Sequence, residues 1–169
     1  LGAHTDLALA FAGQNDPARA ETALRKALEC DADYQPAYSL LGLIFNSQNR
    51  FAESERILRE GLRRAPSAWT PTQLALAYYG LQDYARAEQE YLKTLELNPT
   101  PPADLYARFA DVYLATRAYP QAYAQMQAYV RAAPEGRFAA AIKERMKQIE
   151  ASGALLQPRS NNSVEPAGP

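Results

Sequence analysis

Residues able to do chemistry are few in this chain. The single histidine, His4, and the single cysteine, Cys30, could act as base and nucleophile only if the fold brought them together. They fall at the start and end of the first helical segment pair, so His4 reads as a packing or surface residue and Cys30 as a small buried filler near a helix end. One Cys and one His cannot supply a four-ligand zinc site, and no metal or other cofactor is expected. No Gly-rich phosphate loop, GxSxG elbow or HExxH pair occurs. Glu53 with Glu55, and Glu88 with Glu90, resemble acid/base pairs, but residues two apart on a helix point in different directions. Arg56, Arg59, Arg63 and Arg64 cluster with Glu53, Glu55 and Glu60. Glu55 to Arg59 and Glu60 to Arg64 stand in the stabilising i, i+4 order, each worth about 0.2–0.5 kcal/mol, which favours structural support over an anion site. Asn161-Asn162-Ser163 fits a glycosylation sequon and carries little weight. The expectation is a chain that is not an enzyme and acts through its shape.

The composition sets the same limits. Hydrophobic residues make up 47% and charged residues 22%, and a net charge of -1 gives no general attraction for a phosphate backbone, so nucleic acid is not an expected partner. A chain of 169 residues suits one domain or one short array rather than two domains. The longest uncharged stretch, residues 65–82, contains prolines and polar residues, so no membrane span is expected. A lone cysteine excludes an intrachain disulfide and leaves the redox compartment open. No signal peptide is visible, and an opening leucine leads to the expectation that the chain was processed or excised from something longer. Cytoplasm and bacterial periplasm both remain open. Four lysines against many arginines, with abundant alanine, is a composition of the kind GC-rich bacterial genomes encode.

The elements that must supply the shape follow from self-similarity. Residues 45–66, FNSQNRFAESERILREGLRRAP, return as YYGLQDYARAEQEYLKTLELNP at residues 78–99. One pattern recurs after 34, then 33, then 35 residues, giving four units, 1–34, 35–67, 68–102 and 103–136. In the first half of each unit Leu7, Leu41, Leu74 and Phe109 align, then Ala8, Gly42, Ala75 and Ala110, then Phe11, Phe45, Tyr78 and Tyr113. In the second half Ala20, Ser54, Ala87 and Ala122 align, followed by Leu24, Leu58, Tyr91 and Met126, and by Leu28, Leu62, Leu95 and Val130. Spacings of three and four are helical. Asp16-Pro17 and Thr70-Pro71 place a capping side chain before a first-turn proline, and Pro66, Pro99 and Pro134 follow second helices that they cannot extend. Eight helices are predicted, over 3–15, 17–31, 36–48, 51–65, 71–81, 84–97, 103–116 and 119–132.

Small residues in the alanine columns let the two helices of a hairpin approach, while the aromatic column fills the space between hairpins. One hairpin cannot bury that surface alone. Stacking is required, which predicts an all-α, right-handed superhelical solenoid with first helices lining a concave face.

Leu-Ala or Leu-Gly, an aromatic three residues on, a later alanine and a closing proline, at a 34-residue period, resemble the tetratricopeptide repeat family over residues 1 to about 136. Thr94 and Tyr129 depart from it, standing where Ala27 and Gly61 show a small residue, and His4 and Pro71 replace a large apolar one. These departures bear on local packing. After Gly136 one more helix, 137–153, puts Phe138, Ile142, Met146 and Ile149 on one face and charge on the other, like the caps that end such arrays. Residues 154–169 lack periodicity and are expected to form a disordered tail. No cap precedes residue 3, so further protein is expected upstream.

The resemblance implies that the groove is the site. Its most exposed columns hold Leu9, Leu43, Leu76 and Asp111, then Asn46, Tyr79 and Leu114, with Leu40, Gln73 and Arg108 and with Thr5, Ser39 and Thr72 alongside. Trp69 stands at the entrance to the third first helix. In this family a carboxylate clamp of groove lysines, arginine and asparagines grips the acidic C-termini of Hsp70 and Hsp90. No lysine lies on a first helix here, and Asp6 and Asp111 would oppose an acidic ligand, so those tails are not expected partners. The expected ligand is an extended peptide or amphipathic helix in an apolar, hydrogen-bonding groove. Arrays of this size also resemble bacterial pilus-assembly and outer-membrane-assembly lipoproteins, which makes an assembly factor the leading expectation. The alternatives are the recognition segment of a larger enzyme with its catalytic domain upstream, and self-association through the first hairpin.

Overall fold

The computed structural model describes residues 2–64 and 70–156. Among these residues the fold is all-α: α1 (Gly2–Gly13), α2 (Pro17–Cys30), α3 (Gln35–Ser47), α4 (Phe51–Arg64), α5 (Thr70–Gly80), α6 (Tyr84–Leu97), α7 (Ala103–Ala115), α8 (Tyr119–Ala132) and α9 (Ala139–Ala151), then a 3-10 turn (Ala154–Leu156). Every helix begins and ends within two residues of its predicted limits. Among the described residues no helix is long and apolar enough to cross a membrane. Pro66, Trp69 and the segment from residue 157 lie outside the described residues.

The sequence reads as one array, whereas the chain divides into two compact units, residues 1–99 and 100–169. Pro99 follows the capped end of α6, where it cannot extend the helix, and Pro101 and Pro102 follow within the connection to α7. The N-terminal unit contains the hairpins α1–α2, α3–α4 and α5–α6. The C-terminal unit contains α7–α8, α9 and the 3-10 turn.

Each hairpin turns on one residue in the left-handed region. Asn15, Asn49, Gln82 and Arg117 have φ of 57°, 58°, 60° and 56°. The following N–H then reaches back to the aromatic of the first helix: Asp16 to Phe11 O (2.9 Å), Arg50 to Phe45 O (2.8 Å), Asp83 to Tyr78 O (2.9 Å) and Ala118 to Tyr113 O (2.8 Å). This Schellman closure satisfies carbonyls that the helix end would otherwise strand. Asp16 and Asp83 then cap the second helices by accepting the N–H of Arg19 and Arg86, each at 3.1 Å. Thr70 departs from its expected capping role. It is the first residue of α5, and its buried hydroxyl accepts from Gln35 Nε2 at 3.1 Å.

Small residues close the seams as the columns require. A Cβ at Gly42 would fall 2.4 Å from Leu58, and one at Gly61 would fall 2.6 Å from the Tyr38 Cβ. Ser54 donates to Gly42 O at 3.1 Å from within the same seam. The departures are accommodated locally. Thr94 is buried, donates to Glu90 O at 2.9 Å and lies 3.2 Å from the Thr72 hydroxyl. Tyr129 is buried and accepts the Phe138 N–H at 3.1 Å, just ahead of α9. Pro71 is buried in the first turn of α5, where its ring meets no lost hydrogen bond.

Two sequence expectations change. Cys30 is exposed rather than buried. The last turn of each second helix points outward at this column, as exposed Arg64 and Leu97 also show. The chain does not lose order at Ala154: Ala154–Leu156 forms the 3-10 turn, and Ala154 packs into the core with Ile142 and Ile149. The ion pairs expected on α4 do form, Glu55 with Arg59 at 3.3 Å and Glu60 with Arg64 at 3.5 Å.

Candidate protein-binding surfaces

In the N-terminal unit α3 packs against both α1 and α5, so the three first helices lie side by side. Leu9, Leu43 and Tyr79 on these helices are 53%, 47% and 38% exposed, although the residues just before them, Ala8, Gly42 and Tyr78, are buried. Leu76, in the same column as Leu9 and Leu43, is half-buried, as are Leu40, Asn46 and Gln73. A helix pointing one column into the seam must point the next away from it, which is why the stripe exists. Leu9, Leu40 and Leu43 also edge a small gap of about 30 Å³ beside Leu24 and Ile44, so part of their surface serves packing between hairpins.

Polar groups on the stripe are mostly committed. Asn46 Nδ2 donates to Gln73 O at 2.9 Å and to Gln73 Oε1 at 3.3 Å, fastening α3 to α5. Its buried Oδ1 has no hydrogen-bond donor among the described residues. Tyr79 meets the Tyr84 ring edge-on, with centroids 5.7 Å apart. Of Thr5, Ser39 and Thr72, expected alongside the groove, Thr5 is buried and the other two are half-buried, and all three hydroxyls have partners: Thr5 donates to Gly2 O at 2.8 Å, Ser39 to Gln35 Oε1 at 3.0 Å, and Thr72 lies 3.2 Å from the Thr94 hydroxyl. Trp69 lies outside the described residues.

The C-terminal unit gathers the remaining predicted residues in a different setting. Arg108, Asp111 and Leu114 of α7 line a cleft of about 360 Å³ whose floor and far wall include Met126, Phe138 and Ile142. Arg145 of α9 completes the rim. Desolvation by the apolar wall raises the Asp111 carboxyl above its ordinary value, and the charges of Arg108 and Arg145 oppose that rise without overcoming it. Asp111 forms no ion pair within 4 Å among the described residues. Sequence reasoning put Phe138 and Ile142 on the apolar face of the capping helix but counted neither them nor Arg145 among the binding residues, because the helix was read only as a cap. The signal was present: Arg145 stands three residues after Ile142, on the same helical face.

What these surfaces can do is bind, through exposed apolar rings and methyl groups beside a few hydrogen-bonding side chains. Among the described residues no group of three or more His, Cys, Asp or Glu side chains is placed to hold a metal ion.

Comparison with known proteins agrees with this geometry. Two family models described as tetratricopeptide repeat match residues 5–68 and 72–101. Among solved structures, MamA superposes with a TM-score of 0.75 at 16% identity, over 88% of this chain and 86% of that one. The pilF protein of Pseudomonas aeruginosa gives 0.74 at 22% identity, over 91% and 71%. The first tetratricopeptide repeat domain of Spaghetti (RPAP3), solved with the HSP90 peptide SRMEEVD, gives 0.63 at 20% identity, over 73% and 96%. No curated protein sequence gives a significant match. At these identities the likeness is one of fold.

Proposed function

The chain belongs to the tetratricopeptide repeat family, an all-α solenoid class of protein–protein interaction scaffolds that are generally not catalytic, and from that premise we propose where it binds and what it takes. The site is the stripe Leu9, Leu43, Leu76 and Tyr79, with Asn46 and Gln73 as hydrogen-bonding partners and Trp69 added by its register. Its ligand is an extended segment or amphipathic helix of a partner protein, and its role is that of a bacterial assembly factor. The carrying observation is that Leu9, Leu43 and Tyr79 stay exposed on adjacent helices although Ala8, Gly42 and Tyr78, the residues just before them, are buried. Burying about 400 Å² of such surface would contribute roughly 10 kcal/mol before association costs, which reduce it toward micromolar affinity and reversible capture. Arg108, Asp111 and Leu114 form a second contact region of the same proposal within the C-terminal unit.

Acidic chaperone tails are not the proposed ligand. The described first helices α1, α3, α5 and α7 carry no lysine, and Asp111 adds negative charge where a clamp would need positive charge. Quantitative pull-down with wild type and a Leu43→Asp, Tyr79→Ala variant tests the site. Loss of specific partners from the variant is expected, since exposed aromatic and leucine anchors dominate such contacts; equal recovery of every partner rejects it.

A further inference from the structure

The C-terminal unit differs from the N-terminal one in how its first helix is covered. In the N-terminal unit α3 packs directly against α1 and α5, whereas α9 packs against α8 and leaves a gap beside α7. That gap is the cleft of about 360 Å³, and its walls are fixed before any ligand arrives. Met126 and Ile142 are 3% and 9% exposed, so its floor belongs to the packed core. Phe138 keeps 37% of its surface open on one wall. Its ring is nonetheless held in place, packed on Tyr129 with centroids 6.2 Å apart and with the Arg137 guanidinium 4.5 Å from its centre. The short side chains of Ala107, Ala110 and Ala141 leave the space open. Such a volume stands at the lower end of the about 300–1,000 Å³ usual for ligand pockets, enough for one large side chain and too little for a whole helix.

Charge indicates what accompanies that side chain. Arg108 of α7 and Arg145 of α9 border the cleft from different helices, and neither makes an ion pair or hydrogen bond among the described residues. Other cations of the unit are engaged: Arg137 pairs with Asp104, Lys143 donates to Pro134 O at 3.0 Å, and Lys147 lies 4.0 Å from Glu144. Asp111 is the one carboxylate that lines the cleft among the described residues, so two guanidiniums less one carboxylate leave a single positive charge. We infer that the cleft seats an anchor of the partner segment: a leucine or larger apolar side chain between α7 and α9, with one aspartate or glutamate next to it in sequence whose carboxylate is held by Arg108 and Arg145. The inference rests on the reading that this chain binds a segment of a partner protein, and adds the chemistry of that segment. One carboxylate balances the rim, whereas a run of acids would set its further charges against Asp111. The chain's own residues 157–169 offer no leucine, isoleucine, methionine or aromatic ring to fill the space.

The probes are two peptides with blocked ends, acetyl-GSFESG-amide and acetyl-GSEFSG-amide, titrated into the isotope-labelled full chain and followed by backbone amide chemical shifts. Saturable shifts confined to α7, α8 and α9 are expected for at least one order. Replacing the phenylalanine by alanine should weaken binding about tenfold, and replacing the glutamate by glutamine about fivefold. Arg145→Glu should weaken it at least as much, and a peptide with lysine in place of glutamate should restore it, a rescue that a misfolded variant would not give. Asp111→Asn removes the opposing charge and should tighten binding about threefold. No saturation with either peptide, equal affinity for the Arg145→Glu protein, failure of the charge swap, or weaker binding to the Asp111→Asn protein overturns the inference. Shifts on α1, α3 and α5 in place of the cleft overturn it while leaving the leucine stripe standing, and rejection of the stripe by pull-down leaves this titration untouched. Tighter binding by the Glu165→Gln chain would give the cleft to the chain's own C-terminal segment, and a dimer in sedimentation that Arg145→Glu dissolves would give it to a second copy. Either result overturns the inference.

Discussion

Hairpins α3–α4 and α7–α8 are built on the same columns and solve the same seam in opposite ways. In the first, Tyr38 of the first helix is buried and Gly61 faces it with no side chain at all. In the second, Tyr106 and Tyr129 stand at the corresponding positions, and the buried Tyr129 ring packs against Phe138 with centroids 6.2 Å apart while its hydroxyl holds the Phe138 backbone. The glycine lets two helices close on each other; the tyrosine gives α9 something to close on. Arg137, in the turn ahead of α9, with Asp104, and Glu150 of α9 with Tyr123 add polar ties to the hairpin. A departure from the repeat pattern is therefore where the pattern hands over to a different element.

The largest expected effect tests that handover. Tyr129→Ala should destabilise the C-terminal unit by about 3–5 kcal/mol, the usual range for deleting a buried aromatic. Amide exchange should localise the loss to α8, α9 and the 3-10 turn. Tyr129→Phe keeps the ring and removes the hydroxyl, so it should cost only about 1 kcal/mol. Equal protection of α9 in wild type and Tyr129→Ala would show that the tyrosine does not hold it.

The opposite seam should fail by crowding. Gly61→Ala places a methyl group 2.6 Å from the Tyr38 Cβ, an atom fixed to the α3 backbone that cannot swing aside. Forcing the helices apart should cost about 1–3 kcal/mol, read as a lower midpoint in chemical denaturation. Adding Tyr38→Gly, which removes the Cβ together with the ring, should recover part of that loss in a double-mutant cycle, because the two changes act on one contact.

How much of this was legible depends on what kind of signal each residue leaves. Helix limits were readable because apolar spacing and proline positions act within a few residues, and the column holding Gly61 and Tyr129 showed that something differed in the last hairpin. What Tyr129 does there was not readable, since its partner Phe138 lies in an element with a different period. The left-handed turn residues Asn15, Asn49, Gln82 and Arg117 recur at the repeat interval, but their types vary because the conformation constrains backbone rather than side chain. Arg145 was hidden because α9 was read only as a cap, whose apolar face was expected to cover the last hairpin rather than to wall a cleft. The exposure of Leu9, Leu43 and Tyr79 was legible by register, whereas the commitments of Thr5, Ser39 and Thr72 were not, because a hydroxyl can be satisfied by a nearby carbonyl or side chain as readily as by a ligand.

Acid should separate the two units by sign, with the smallest energies of the three tests. In the N-terminal unit, burial works against the Glu21 carboxylate, but hydrogen bonds from Arg50 and Arg25 outweigh it and hold its pKa below the ordinary 4.5. A depressed folded value means that this carboxylate stabilises the unit fully above pH 4.5, and that the contribution fades as pH falls through the lower folded value. In the C-terminal unit the desolvated Asp111 has a folded pKa raised above the ordinary 3.8. The cost of its charge builds up above pH 3.8 and is complete once the pH exceeds the raised folded value, and it disappears again as acid protonates the folded state. Lowering the pH from neutrality should thus strengthen α7 and α9 slightly as Asp111 takes up its proton, and below 4.5 weaken the contact between α2 and the α3–α4 turn. Amide-exchange protection factors corrected for intrinsic rates would show the two trends in one titration. Asp111→Asn should abolish the first and leave the second, and Arg50→Gln should do the reverse; parallel loss in both units would mean that acid acts through something other than these two carboxylates.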